Sequence, residues 1–147
     1  AISTSYYAVF HALAKSAADC LVGYRNDSTS SRAWVEVYRG LAHGPCKNSC
    51  KEAFKIGFPE ELQNFANAFV QLQEARHKAD YDPTYLVSYE QAMIYYALAE
   101  KSILTLKGVS RKDKTAFATW VMITTRGAQE ARKQVLKAAA SEDAKTA

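Results

Sequence analysis

The sequence predicts an all-α protein, an up-and-down bundle of four to five helices. Helix-breaking residues are rare, with six Gly and three Pro in 147 residues. Long stretches are instead rich in Ala, Leu, Gln, Glu and Lys, which are strong helix formers. Apolar residues also recur at helical spacing. The clearest example lies in segment 62–81, with Leu62, Phe65, Ala66, Phe69, Leu72 and Ala75.

Length and composition indicate one helical domain, residues 1–139, followed by a frayed polar tail at 140–147. Hydrophobic residues make up 48% of the chain and charged residues 23%, as is usual for a globular protein. No apolar run approaches the roughly 20 residues of a membrane-spanning helix, and no secretion signal is recognisable. Three cysteines are too few for a disulfide framework. We therefore expect a cytoplasmic protein with no membrane partner.

The first half of the chain predicts two helices and an ambiguous segment. The first helix, 3–22, has an apolar stripe that consists of Tyr6, Phe10, Leu13, Ala14, Ala17 and Leu21. His11 lies beside this stripe, where a histidine is either a hydrogen-bonded core residue or a polar group that faces a pocket. Ser30 or Ser31 is placed to cap a second helix at 32–41. In segment 42–58, Gly44-Pro45 and Gly57-Phe58-Pro59 are expected breaks around a short helical turn.

The central helix is predicted to begin after Pro59 and to end before Pro83, because the residue before a proline is pushed out of the α region. Its apolar stripe continues into Arg76 and, one turn later, Asp80. Charged groups at half-buried positions are costly unless they meet a partner. Arg76 and Asp80 therefore either form an i,i+4 ion pair or belong to a functional pocket.

The remaining sequence predicts two more helices. Ser88 and Gln91 have the form of a capping box and begin a helix that extends to about residue 106. The residues expected on its buried side are Ala92, Tyr95, Tyr96, Ala99 and Ile103. A last helix is predicted from Ser110 to residue 139, weakened in its middle by Gly127.

Charge is uneven along the chain. Residues 1–106 contain 10 Lys/Arg and 11 Asp/Glu, whereas residues 107–147 contain 9 Lys/Arg and 4 Asp/Glu. This basic last third is compatible with contact to phosphate backbones and equally with a solvated helix face. His43, Cys46 and Cys50 are close in sequence, but a zinc site needs a fourth ligand and tighter spacing. We therefore predict no metal site.

Two motifs stand about 70 residues apart. The first consists of Ser3, Tyr6, Tyr7, Phe10 and His11, and the second of Arg76, Ala79, Asp80 and Tyr81. In this order they resemble the HEPN superfamily, and in particular its small stand-alone bacterial members. The resemblance covers roughly residues 3–106, and the final basic helix lies partly outside it.

The resemblance implies a helical bundle, often a homodimer, that binds or acts on RNA or nucleotides. It further implies a toxin or defence component with a cognate antitoxin or nucleotidyltransferase as partner. Many members are metal-independent ribonucleases that need no cofactor, and their motif places a histidine four to six residues after an arginine. This chain departs from that motif, because Arg76 is followed directly by His77 and by no histidine at the required spacing.

Cleavage of RNA by its own 2′-hydroxyl needs a base, an acid and a cation for the charged phosphorane. Arg76 is the candidate cation and His11 the candidate acid–base group, with Tyr7 or Tyr81 donating to phosphate. The predicted polar cluster is completed by Tyr6, Tyr7, Asp80 and Tyr81. The alternative is a non-catalytic dimeric module, in which this cluster joins two helices and the protein binds a partner protein.

Overall fold

The computed structural model describes the backbone of residues 2–146 and confirms the all-α prediction. Its regular elements, in chain order, are α1 (Ile2–Leu21), α2 (Ser31–Gly40), α3 (His43–Glu52), a short 3₁₀ helix (Ala53–Ile56), α4 (Glu60–Tyr81), α5 (Tyr89–Gly108), α6 (Arg111–Met122) and α7 (Arg126–Thr146). The described range thus contains seven α-helices, more than the predicted four to five. No described helix is both long and apolar enough to cross a membrane.

The centre of the fold is formed by α1 and α4. α1 packs against α2, α4, α5 and α6, and α4 packs in addition against α3. The predicted apolar stripe of α4 is buried along its whole length, from Leu62 to Ala75. It meets the stripe of α1, and the largest fully buried side chains at this junction are Tyr6, Val9, Leu13, Phe65, Phe69 and Leu72.

Local capping signals were predicted correctly. Ser30 accepts a hydrogen bond from the backbone of Ala33 and caps α2, and Ser88 with Gln91 forms both halves of the capping box of α5. Gly57 ends the 3₁₀ helix with φ of 77°, a left-handed conformation that favours glycine. Tyr96, in contrast, is exposed instead of buried, because the core-facing side of α5 is centred on Ala99, Ser102 and Leu106.

The prediction that Gly44-Pro45 breaks a helix was wrong. Both residues lie in the first turn of α3, which begins at His43. The backbone N–H groups of a first turn have no partner within the helix, so the missing N–H of proline costs nothing there. As a result, His43 is the first residue of a helix and not part of a loop.

The predicted single helix at 110–139 is divided into α6 and α7. α6 ends at Met122, Ile123 has extended backbone angles, and Thr125 accepts a hydrogen bond from Ala128 to begin α7. Arg132 of α7 folds back over the Trp120 ring at 4.2 Å and donates to the Thr119 carbonyl at 3.1 Å. The Thr119 carbonyl also accepts the backbone N–H of Ile123. Arg132 in addition lies 3.4 Å from the carbonyl of Trp120, one of the last carbonyls of α6, which have no partner in a regular helix.

The predicted polar tail at 140–147 falls at the end of α7. Residues 140–146 continue the backbone of α7, and Ala147 lies outside the described residues. Small polar residues at a chain end favour fraying, but alanine-rich sequence before them favours continuation of the helix.

The α1–α4 junction should dominate stability. We expect Phe69→Ala to lower the free energy of unfolding by about 3–5 kcal/mol, because it removes a fully buried ring. The matched variant Phe54→Ala truncates an exposed phenylalanine and should change stability by less than about 0.5 kcal/mol. Urea denaturation measures both, and similar values for the two variants would contradict this packing.

Candidate functional site

A cluster of aromatic and charged side chains lies where the N-terminal half of α1, the start of α3 and the end of α4 meet. We call it the arginine cluster. It consists of Ser3, Tyr6, Tyr7, His43, Arg76 and Asp80. Four of the predicted site residues are therefore brought together, and His43 and Ser3 join them.

Arg76 is the charged centre of the arginine cluster. Its guanidinium carbon lies 5.4 Å from the centre of the Tyr6 ring and 5.2 Å from that of the Tyr7 ring. Both distances are within the range of a cation–π interaction. The Arg76 side chain is 20% exposed, so it is held by the two rings and still has access to solvent.

Asp80 accepts a hydrogen bond from Arg76, with 3.1 Å between Nε and Oδ2. Its other carboxylate oxygen lies 3.3 Å from the Ser3 hydroxyl, which links α4 to α1. The predicted i,i+4 ion pair is therefore present within the cluster. Because the Asp80 side chain is 37% exposed, the pair is screened by water and contributes little to stability. Its main effect is to orient the guanidinium through Nε, with the terminal nitrogens left for another acceptor.

Tyr6 and His43 form the buried side of the cluster. Tyr6 is completely buried, and its hydroxyl lies 2.5 Å from Nδ1 of His43. The imidazole stacks on Phe10 with 4.0 Å between ring centres, and the amide of Gln73 donates to the His43 carbonyl. These contacts fix both the backbone and the ring of His43. Its Nε2 has no hydrogen-bond partner among the described residues.

Burial keeps both groups of this pair uncharged. It raises the pKa of Tyr6 well above the ordinary value of a tyrosine. Burial also lowers the pKa of His43, and the positive charge of Arg76 and the nearby His11 lower it further. In the tautomer whose Nδ1–H donates to the Tyr6 oxygen, the neutral imidazole has an unprotonated Nε2 that can accept a proton. That is the requirement for a general base at neutral pH.

Sequence reasoning missed His43. The sequence suggested it only as a metal ligand with Cys46 and Cys50, within the ambiguous segment 42–58. The structure buries both cysteines in the core. Among the described residues no group of three or more His, Cys, Asp or Glu side chains is arranged to hold a metal ion.

His11 lies at the edge of the arginine cluster. It is exposed on α1, its ring stacks on Tyr7 at 6.2 Å between centres, and the Tyr38 hydroxyl lies 2.9 Å from its Nδ1. Of the two alternatives for this histidine, it is the polar group that faces a cleft.

Tyr81, in contrast, is not part of the cluster. It is 69% exposed, and its ring packs on His77 at 4.7 Å. The residue is the last of α4, about 140° round the helix from Arg76. Its predicted role as a phosphate donor beside Arg76 has no support in this geometry.

One sequence signal could have revealed more of the site. Polar residues occur every fourth position along α1, at Ser3, Tyr7, His11, Lys15 and Asp19. Residues four apart are neighbours on a helix, so this row winds from the arginine cluster along one side of α1. Each member contacts another member of the row or a residue of another helix. The contacts are Ser3 with Asp80, Tyr7 with Arg76, His11 with Tyr38, Lys15 with Asp19, and Asp19 with Trp34.

Comparison with known proteins does not assign the chain to a family. No protein-family model, curated protein or solved structure matches the chain. The chemistry of the arginine cluster is therefore argued from its own residues.

The environment of His43 predicts a pH dependence. Its pKa lies below the ordinary value of 6.5 when folded, so the unfolded chain binds more protons as the pH falls below 6.5. Stability therefore rises with pH in this window. The contribution of His43 is complete above pH 6.5 and is lost as the pH falls through the folded-state pKa.

An NMR titration of the His43 ring protons tests this directly. We expect a midpoint below 6.5 in the wild type and a higher midpoint in Arg76→Gln, because the guanidinium is one cause of the shift. Lys78→Gln removes an exposed cation from the same helix and should leave the midpoint near the wild-type value. A wild-type midpoint at or above 6.5 would show that His43 is not held neutral.

Proposed function

We propose that the protein is a HEPN-type helical bundle that acts on RNA, binding it at the arginine cluster and cleaving it without a metal ion. The observation that supports this most is the position of an accessible guanidinium, Arg76, beside the neutral and oriented imidazole of His43. The resemblance of the two motifs to HEPN proteins supports the same class of substrate.

The proposed reaction is attack of a ribose 2′-oxygen on the adjacent phosphorus. The 2′-hydroxyl proton passes to a base, the bond from phosphorus to the 5′-oxygen breaks, and an acid protonates that oxygen. The products are a 2′,3′-cyclic phosphate and a 5′-hydroxyl. Negative charge that develops on the phosphorane is stabilised by Arg76, whose terminal nitrogens donate to the phosphoryl oxygens.

Two histidines are available for the proton transfers. We assign His43 as the base, in the neutral tautomer whose Nδ1–H donates to the Tyr6 oxygen and whose Nε2 is free to accept a proton. We assign His11 as the acid, because the Tyr7 ring contacts both histidines. The Tyr7 hydroxyl is the proposed donor to phosphate. This assignment replaces the histidine that the HEPN motif would place after Arg76 with one from another helix.

A second candidate is a non-catalytic module that binds a protein, such as a second copy of the chain, an antitoxin or a nucleotidyltransferase. The outer face of α5 favours this. It exposes five large apolar side chains, Tyr89, Met93, Ile94, Tyr96 and Leu104, of which Tyr89, Met93 and Tyr96 have the i, i+4, i+7 spacing of one helix face. Exposed apolar side chains on one face are typical of an interaction site.

A cleavage assay on a structured RNA in the presence of EDTA tests the proposal. We expect Arg76→Ala to reduce the rate by about 100-fold, as is usual when a donor to a developing oxyanion is removed. His43→Ala and His11→Ala should each reduce it by about 100-fold or more, through loss of proton transfer. Lys78→Ala, an exposed basic residue on the same helix, should cleave at the wild-type rate.

Equal rates in all five proteins would show that the observed cleavage is not due to the arginine cluster. No cleavage by the wild type, together with a stable dimer in sedimentation, would instead favour the non-catalytic module.

A further inference from the structure

A second polar surface lies beyond His11, in a cleft between α1, α2, α5 and α6. The cleft has a volume of about 840 Å³ and is open to solvent. Binding sites for small molecules usually have about 300–1,000 Å³, so this one is large enough for a nucleotide. We call it the basic cleft, and none of its lining residues belongs to the arginine cluster.

The lining of the basic cleft is positively charged. It contains four basic residues, Lys15, Arg25, Lys107 and Lys114, and one acidic residue, Asp19. Both carboxylate oxygens of Asp19 are occupied, one by Lys15 at 2.6 Å and the other by the indole N–H of Trp34 at 3.0 Å. Asp19 therefore neutralises Lys15 and has no further capacity for the other cations.

The other three cations have no carboxylate partner among the described residues. Arg25 stacks over the Trp34 ring at 4.9 Å and donates to the Ser31 hydroxyl. Lys114 donates to the backbone carbonyl of Lys107 at 3.2 Å. The ammonium of Lys107 has neither an ion pair nor a hydrogen bond there. Three like charges around one concave surface attract an anion strongly.

The same cleft contains aromatic and apolar surface. Tyr24 is 60% exposed, with the Arg111 guanidinium 5.2 Å from its ring. Tyr38 is held in place by His11 and by stacking on Trp34 at 5.1 Å. Ile103 and Leu106 provide apolar contact from α5. Aromatic rings beside cations are the usual surface for a base with its phosphate.

We propose that the basic cleft binds a nucleotide unit, with its phosphate on Arg25, Lys107 and Lys114 and its base against Tyr24. A free nucleotide and a nucleotide within single-stranded RNA present the same chemistry. This site goes beyond the proposed cleavage function, because it does not use Arg76 or His43. In an RNA substrate it would hold a nucleotide next to the one at the arginine cluster, since His11 borders both.

Fluorescence binding assays with two labelled probes test this site. The probes are a fluorescent ATP analogue, for the free nucleotide, and an eight-nucleotide single-stranded RNA, for the strand. The test variant is Arg25→Glu with Lys107→Glu. Its matched control is Arg32→Glu with Lys112→Glu, which makes the same change in net charge at exposed positions on α2 and α6 that do not line the cleft.

We expect the test variant to bind at least one probe about tenfold or more weakly than the wild type, and the control variant within about twofold, because only the former removes phosphate contacts. For the RNA probe, loss of two contacts should also lower the slope of log affinity against log salt by about 1.4. Tyr24→Ala should weaken binding by about fivefold or more through loss of stacking.

The single variant Lys107→Gln tests the same site in case the double variant does not fold. It changes one exposed side chain that has no partner in the described structure, and it should still weaken binding severalfold. Arg76→Gln should retain binding of the ATP analogue, which does not reach the arginine cluster, and this separates the proposal from that of cleavage. Equal losses in the test and control variants, or no saturable binding of either probe by the wild type, would overturn the proposal.

Discussion

Tyr6 is buried at the point where α1, α3 and α4 meet, and its hydroxyl must find a hydrogen-bond partner there. The partner is His43, and this bond determines how the start of α3 sits on α1. The Tyr6 ring packs on Phe69 of α4 and lies beneath the guanidinium of Arg76. The bundle junction and the candidate site therefore depend on the same side chain. A change that removes the hydroxyl would leave Nδ1 of the half-buried His43 without its partner, a loss of about 1–3 kcal/mol.

Features that are determined by neighbours in sequence could be predicted, and those that depend on distant contacts could not. The capping box at Ser88 is local, and the stripe of α4 follows from its spacing alone. His43 lies 33 residues before Arg76, and only the packing of α3 on α4 brings it to the cluster. The contact of Arg132 in α7 with the Trp120 ring in α6 likewise becomes visible only in the folded chain.

Only part of the candidate site could be predicted, because some of its contacts join neighbours on one helix and others join distant parts of the chain. Arg76 and Asp80 are one helical turn apart, so their pairing was visible in the sequence. The proximity of Arg76 to Tyr7 was predicted only from the resemblance of the two motifs to a known family. In the structure it has a physical basis, the cation–π contact between the two side chains. Tyr81 follows Asp80 directly, yet helix geometry turns it away from the cluster. A residue's place in a motif is thus a weaker guide to its location than its angular position on the helix.

Two surfaces lie along α1: a half-buried, oriented histidine beside an arginine, and a basic cleft past His11. We propose that RNA contacts the first of these, the arginine cluster. The most direct test is NMR observation of the Arg76 Nε–H and the ring protons of His43 and His11, during titration with a short 2′-O-methyl RNA that cannot be cleaved. We expect all three signals to shift together and to saturate at one dissociation constant. Unchanged signals from Arg76 and His43, while RNA shifts resonances elsewhere in the protein, would contradict it.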